Sequence, residues 1–181
     1  MEDLMKNQDL QQLFVDELKD MYSAEVQIVG ALPRLNKLAS LPELKEALAD
    51  HLQETKKQVE RIEQIFVLLG VGTFKETCEG MRGLLAESDK LTANKDKSLA
   101  LDAAIISAAQ KVEHYEIASY GTLKSFAKHL DLDSDILNLL KDNYNEEVAA
   151  DKKLTKIAEG SFFSSGLNQK AAACCEHQTV S

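Results

Sequence analysis

Four glutamates stand where a helical protein should be apolar: Glu25, Glu54, Glu116 and Glu147. Glu25 lies between Met21 and Ile28, Glu116 between Val112 and Tyr120, and Glu147 beside Val148. Glu54 flanks its apolar run, on the line His51, Glu54, Gln58. Carboxylates gathered in a core repel one another and lose hydration, which is costly unless some hold protons or a cation sits among them. A pair of divalent ions would neutralise that charge, and carboxylate oxygen suits iron or manganese. The chemistry these residues point to is a site for two metal ions.

Helical periodicity supplies the elements that must position them. Apolar residues at spacings of three and four run from Leu10 through Leu18 and Ile28 to Leu38, predicting a helix over about residues 8–39. Pro33 falls inside it and is expected to kink or locally break it. Ser40 with Glu43 makes a capping-box pattern, with Pro42 tolerated in the first turn, and opens a second helix that Gly70 stops. A glycine-punctuated stretch follows, with room for one short helix around Met81 to Leu91. A third stripe runs from Leu101 to Leu130, and a fourth, capped by Asp133 or Ser134, runs from Leu137 to Gly160. No segment carries a strand pattern. The chain reads as all-α, with residues 1–160 forming the bundle and 161–181 a polar, flexible tail.

Connection lengths choose the topology. Short turns join the first two helices and the last two, making two antiparallel hairpins, and about 27 residues between them suffice to traverse the bundle. Four long helices with one long crossover is the ferritin-like arrangement. Counted from turns near residues 40 and 132, all four glutamates fall about 21–24 Å from their turns, in one layer. The same count groups Tyr22, Gln58, Glu113 and Asp151 one helical turn further from the loops. It groups Ile28 or Val29, His51, Tyr120 and Tyr144 one turn nearer. The spacing of Glu25 to Leu32 recurs as Glu116 to Leu123, both ending Gly-x-Leu, which points to a duplicated hairpin and a pseudo-two-fold axis through the carboxylate layer.

Composition narrows the function classes. The 181 residues carry 21 Lys+Arg against 30 Asp+Glu, a net charge of -9 without a basic cluster, which disfavours nucleic acid as a partner. No apolar run approaches the roughly 20 residues that span a bilayer, and the amino end is polar and acidic, so neither a membrane nor a secretory signal is expected. Three cysteines, Cys78, Cys174 and Cys175, lack framework spacing and read as free thiols in a reducing compartment. Cys174, Cys175 and His177 lie in the tail, where metal capture would be adventitious.

The runs Asp20-Met-Tyr-Ser-Ala-Glu25, His51-Leu-x-Glu54-Thr55-x-x-Gln58, Gln110-Lys-Val-Glu113-His114-Tyr115-Glu116 and Glu146-Glu147-x-x-x-Asp151 resemble the YciE/YciF family of bacterial stress-associated, ferritin-like proteins. The resemblance covers roughly residues 10 to 160. It implies a ferritin-like bundle, a cytoplasmic location, a homodimer and a rubrerythrin-like metal site whose reaction is not established for the family. One departure from the wider ferritin-like pattern is plain. Di-iron bundles carry Glu-x-x-His on two helices, whereas no histidine follows Glu54 or Glu147 by three; Gln58 and Asp151 sit four residues on, and His51 precedes Glu54 by three. A site so rich in oxygen leaves iron, manganese and zinc all open. His114 faces about 100° from Glu113 and reads as a surface histidine, and Tyr22, Tyr120 and Tyr144 read as core filling or hydrogen-bond partners.

Two functions follow. The first is a metal-binding, oxidoreductase-like or iron- and peroxide-handling protein, its ions bridged by Glu116 and Glu25, flanked by Glu54 and Glu147, with Glu113 and Asp151 as additional ligands. The second is a non-enzymatic dimeric helical adaptor with a vestigial polar core. A third, a storage or DNA-protecting cage, needs assembly interfaces that a sequence does not display, and the net charge of -9 without a basic tail argues against DNA coating.

Overall fold

A computed structural model describes residues 2–72, 76–93, 95–161 and 164–176. Its four long helices are α1 (Glu2–Leu38), α2 (Pro42–Leu69), α4 (Leu99–His129) and α5 (Ser134–Glu159); a short α3 (Glu79–Thr92) lies in the crossover. Around the bundle α1 packs on α2, α2 on α5, α5 on α4 and α4 on α1, with α3 laid against α4 and α1. This is the ferritin-like four-helix bundle with one long crossover. Helix α1 passes through Pro33 without a break. The ring is exposed, so the backbone carbonyl it deprives of a partner is on the side open to water.

The first turn departs from the capping-box expectation. The residue capping α2 is Leu41, which offers no side-chain cap, and Pro42 begins the helix. Ser40 instead donates its hydroxyl and its N–H to Asp102, at 2.6 and 2.8 Å, and the Leu41 N–H reaches the same carboxylate at 2.9 Å. A buried acid from α4 therefore outcompetes Glu43, because one carboxylate satisfies three donors at once. At the second turn Asp133 caps α5 as expected, accepting from the Asp135 N–H at 2.8 Å.

The Asp102 contact fixes the sense of the bundle. Residue 102 starts α4, so the crossover has carried the chain from the far end of α2 back to the α1–α2 turn. The two hairpin turns therefore lie at opposite ends. One end of the core is built from Phe14, Leu18, Ile62, Ile65, Phe66, Leu123 and Leu140, the other from Leu32, Leu35, Leu44, Leu48, Leu101, Ile105 and Leu154. Each such side chain contributes roughly 1.5–3 kcal/mol by leaving water. Between these two apolar ends lies the polar middle.

The chain beyond α5, expected as a patternless tail, makes a two-residue hairpin, β1 (Gly160–Ser161) with β2 (Ser164–Ser165), and then α6 (Leu167–Glu176), packed on α4 and α5. Gly160 ends α5 at φ 81, and a Cβ there would collide with the Ser164 carbonyl. Only glycine fits that closure. One buried residue, Leu167, anchors the segment, and a single apolar anchor leaves no period to read. The side chains of Cys174 and Cys175, and all of His177, lie outside the described residues.

Candidate metal centre

Because the turns lie at opposite ends, moving away from the first turn means moving towards the second. The central layer survives this correction, being midway from both, but its neighbours exchange partners. Glu113 belongs with His51, not with Gln58, and Tyr120 belongs with Tyr22 and Gln58. Contacts agree: His51 Nε2 lies 3.3 Å from Glu113 Oε1, Gln58 donates to Glu147 Oε1, and the Tyr120 hydroxyl donates to Glu25 Oε1.

His51 from α2, Glu113 and Glu116 from α4 and Glu147 from α5 each turn one ligand atom into a space where all four atoms lie within 4.8 Å of one another. All are buried, Glu116 and Glu147 completely. Glu25, equally buried on α1, adjoins this set through Glu116. Glu54 is half-buried at the rim beside His51 and Glu113, outside the four. Asp151 is half-buried too, accepting from Gln110 at 3.0 Å and facing His114 at 3.4 Å. His114 itself is exposed, as its angular position predicts.

The cluster is short of partners. Both oxygens of Glu116, one oxygen each of Glu25, Glu113 and Glu147, and both ring nitrogens of His51 are buried without a hydrogen bond. Burial pushes the carboxyls of Glu25, Glu113 and Glu116 well above the usual range, and the charge of Glu147 pushes each further. Burial also raises Glu54, whose partial access to water moderates the effect. Two supports do exist. Gln58 holds Glu147, and a chain runs inward from the surface: Arg61 grips Glu146 with two bonds and Asn143 Oδ1 with a third at 2.9 Å, Asn143 donates to the Tyr120 hydroxyl at 2.9 Å, and Tyr120 donates to Glu25. Burial, then Glu25, lift the Tyr120 phenol well above its ordinary value, so it stays a donor.

The other two tyrosines are elsewhere. Tyr22 packs edge-on to Phe66 and bonds Glu63 at 2.9 Å, and Tyr144 lies under the Lys124 ammonium. His51 is the member that sequence reasoning left outside its ligand set. Its signal was the crossover length, which places His51 level with Glu113 once the turns are set at opposite ends.

A family model described as a domain of unknown function, DUF892, matches residues 9–172. The chain belongs to this family. A DUF892 relative, protein YciF of Escherichia coli strain K12, is 41% identical over 155 residues, covering 85% of this chain and 93% of that protein. The crystal structure of the E. coli stress protein YciF superposes with a TM-score of 0.77 over 81% of this chain and 92% of its own. YcfI of Rhodopseudomonas palustris, for which a structural role is proposed, is 43% identical with a TM-score of 0.79 over 82% of this chain and 94% of its own. A Xanthomonas campestris protein at 19% identity and TM-score 0.68 shares the fold. No helix among the described residues is long and apolar enough to cross a membrane.

Proposed function

We propose that this DUF892 member binds divalent transition-metal ions at His51, Glu113, Glu116 and Glu147 and serves in stress-associated redox or iron- and peroxide-handling chemistry. The observation that carries the reading is the coincidence of convergence with want: four ligand atoms within 4.8 Å, on residues each of which keeps at least one buried oxygen or nitrogen without a hydrogen bond. Buried polar groups without partners cost about 1–3 kcal/mol each, more when charged, and a cation among the four would take one ligand atom from each of them. Carboxylate oxygen with one imidazole suits iron or manganese and accepts zinc. Glu25, within reach of Glu116, is the ligand that a second ion would add, with Glu54 and Asp151 at the periphery. Bound there, such ions supply Lewis-acid and, for iron or manganese, electron-transfer chemistry towards small oxidants.

The chain's own residues orient and insulate. Gln58 fixes Glu147, the Arg61–Asn143–Tyr120 chain fixes Glu25, and the two apolar ends exclude bulk water. The relative named a stress protein supports the stress assignment. In this reading the protein works in the cytoplasm as a homodimer, for which exposed Val67 and Leu68, adjacent on α2, offer apolar surface. Elemental analysis of protein from metal-replete cells should find about two divalent ions per chain, and fourfold replacement of Glu25, Glu54, Glu116 and Glu147 by Gln should abolish them with the helix signal intact. Well under one ion per chain overturns the reading. The second reading, a helical structural or adaptor protein, is favoured by the structural role proposed for YcfI, and metal-free protein of full stability would select it.

A further inference from the structure

A recess of about 90 Å³ opens between α2 and α5 and ends on His51 and Glu113. Its inner wall carries His51, a residue only 6% exposed whose ring nitrogens make no hydrogen bond, and Glu113, whose Oε2 makes none either. Small side chains, Ala47, Ala149 and Ala150, form part of its wall and keep it open. At the surface, Lys153 spans the groove from α5 to Asp50 on α2 at 2.7 Å, with both side chains about half exposed. Glu54 stands between this ion pair and the buried cluster, and the Lys153 charge acts on it as well.

The volume restricts what passes. Organic ligands occupy pockets of about 300–1,000 Å³, whereas a site for one water needs roughly 10–15 Å³. The recess therefore suits an ion with part of its water shell and excludes larger substrates. Its charge favours a cation, since Asp50, Glu54 and Glu113 succeed one another inward and Lys153 is the single lysine or arginine among its lining residues.

Resting on the reading of the cluster as a metal centre, we propose that this α2–α5 recess is the port by which divalent cations reach it, with the Asp50–Lys153 ion pair as its latch and Glu54 as the carboxylate that passes the ion inward. An arriving dication displaces the Lys153 ammonium from Asp50, meets the half-buried Glu54, and is handed to His51 and Glu113. The ammonium competes with the ion at the mouth, so it slows loading without entering the centre.

The test is a rate. Metal-stripped protein is mixed with zinc(II), and uptake is followed by competition with a fluorescent chelator, with final stoichiometry and thermal stability measured alongside. Ala150→Leu, which fills the recess, should slow uptake by about tenfold or more at unchanged final stoichiometry. Lys153→Ala should speed it roughly threefold or more at low salt, the gain fading as salt rises, as electrostatic steering requires. Equal rates for all three proteins overturn the port while leaving the metal centre standing. Should Ala150→Leu fail to fold, Lys153→Ala on its exposed side chain decides alone: salt-sensitive acceleration supports the port and an unchanged rate rejects it. A wild-type chain that takes up no ion removes the centre, and the port falls with it.

Discussion

Asp102 and Glu116 are both wholly buried carboxylates on α4, and they could hardly differ more. Asp102 accepts three short hydrogen bonds from the turn between α1 and α2, while Glu116 has only the neighbouring carboxyls of Glu25 and Glu147 for company and no donor from outside the acids. The first acid is complete in the apo chain: its charge is held by the donors that it organises. The second is pressed against Glu25, Glu113 and Glu147, and burial with their charge drives its carboxyl well above the usual range. Burial of an acid is thus no mark of a site. Burial without partners, next to other acids, is.

The contrast breaks most sharply by substitution. Asp102→Ala leaves two backbone N–H groups and the Ser40 hydroxyl without their acceptor and should cost about 3–5 kcal/mol, seen as a fall of roughly 10 °C in apo Tm. Glu116→Gln should move apo Tm the other way at pH 7.5, because the amide removes one buried acid from the cluster. One pKa unit relieved corresponds to about 1.4 kcal/mol. Calorimetry of both variants checks the pair. A destabilised apo Glu116→Gln protein would mean that the cluster is self-sufficient, like Asp102, and that no cation is needed.

Acidity separates the two regions next. Glu25, Glu113 and Glu116 have folded-state pKa values raised above those of the unfolded chain. The native state then holds protons the unfolded state has released, so stability is greatest below the unfolded value, near 4.3, and is lost as pH rises through the raised folded values. Apo protein should therefore melt at higher temperature near pH 5.5 than near pH 7.5. Manganese or ferrous iron favours the ionised carboxylates and binds only the native state, adding about 2.7 kcal/mol at a hundred times Kd. Its stabilisation should be far larger at pH 7.5 than at 5.5. Apo melting flat in pH with no metal response would place the glutamates in water.

How much of this was legible follows from what local pattern can carry. The long helices, the crossover and its short helix come from periodicity and connection length, and both are properties of the chain itself. Glu25, Glu116 and Glu147 were legible as acids on inward stripes, Glu113 only as an additional ligand one turn away, and Glu54, read with the first three, lies at the rim. Their neighbours were mispaired because the count treated both turns as lying at one end, although a crossover that traverses the bundle sets them at opposite ends, as the contact of Asp102 with Ser40 shows. The same contact hid behind the Ser40–Glu43 capping pattern, a local signal that a stronger distant acceptor displaced. Helix α6 escaped notice because Leu167 is a lone apolar anchor, and a single residue has no period.

The finest test concerns Tyr120, the group where the two kinds of carboxylate meet. Its hydroxyl donates to Glu25 and accepts from Asn143, so Glu25 among the raised acids is held by a hydroxyl donor. Tyr120→Phe removes that donor and strands the Asn143 amide, at a cost of about 1 kcal/mol, well below that of Asp102→Ala. The hydroxyl opposes the rise of the Glu25 carboxyl, so the phenylalanine should raise it further and make Glu25 hold its proton to higher pH. A metal ion must then displace a proton that the variant holds more tightly than the wild-type chain does. Zinc affinity should consequently fall more at pH 6.5 than at pH 7.5 in the variant, while stoichiometry is kept. Titration at both pH values, beside apo melting, reads the effect. If Tyr120→Phe costs as much stability as Asp102→Ala, the central layer is a structural network in its own right, and the distinction between a satisfied and a waiting carboxylate does not hold in this bundle.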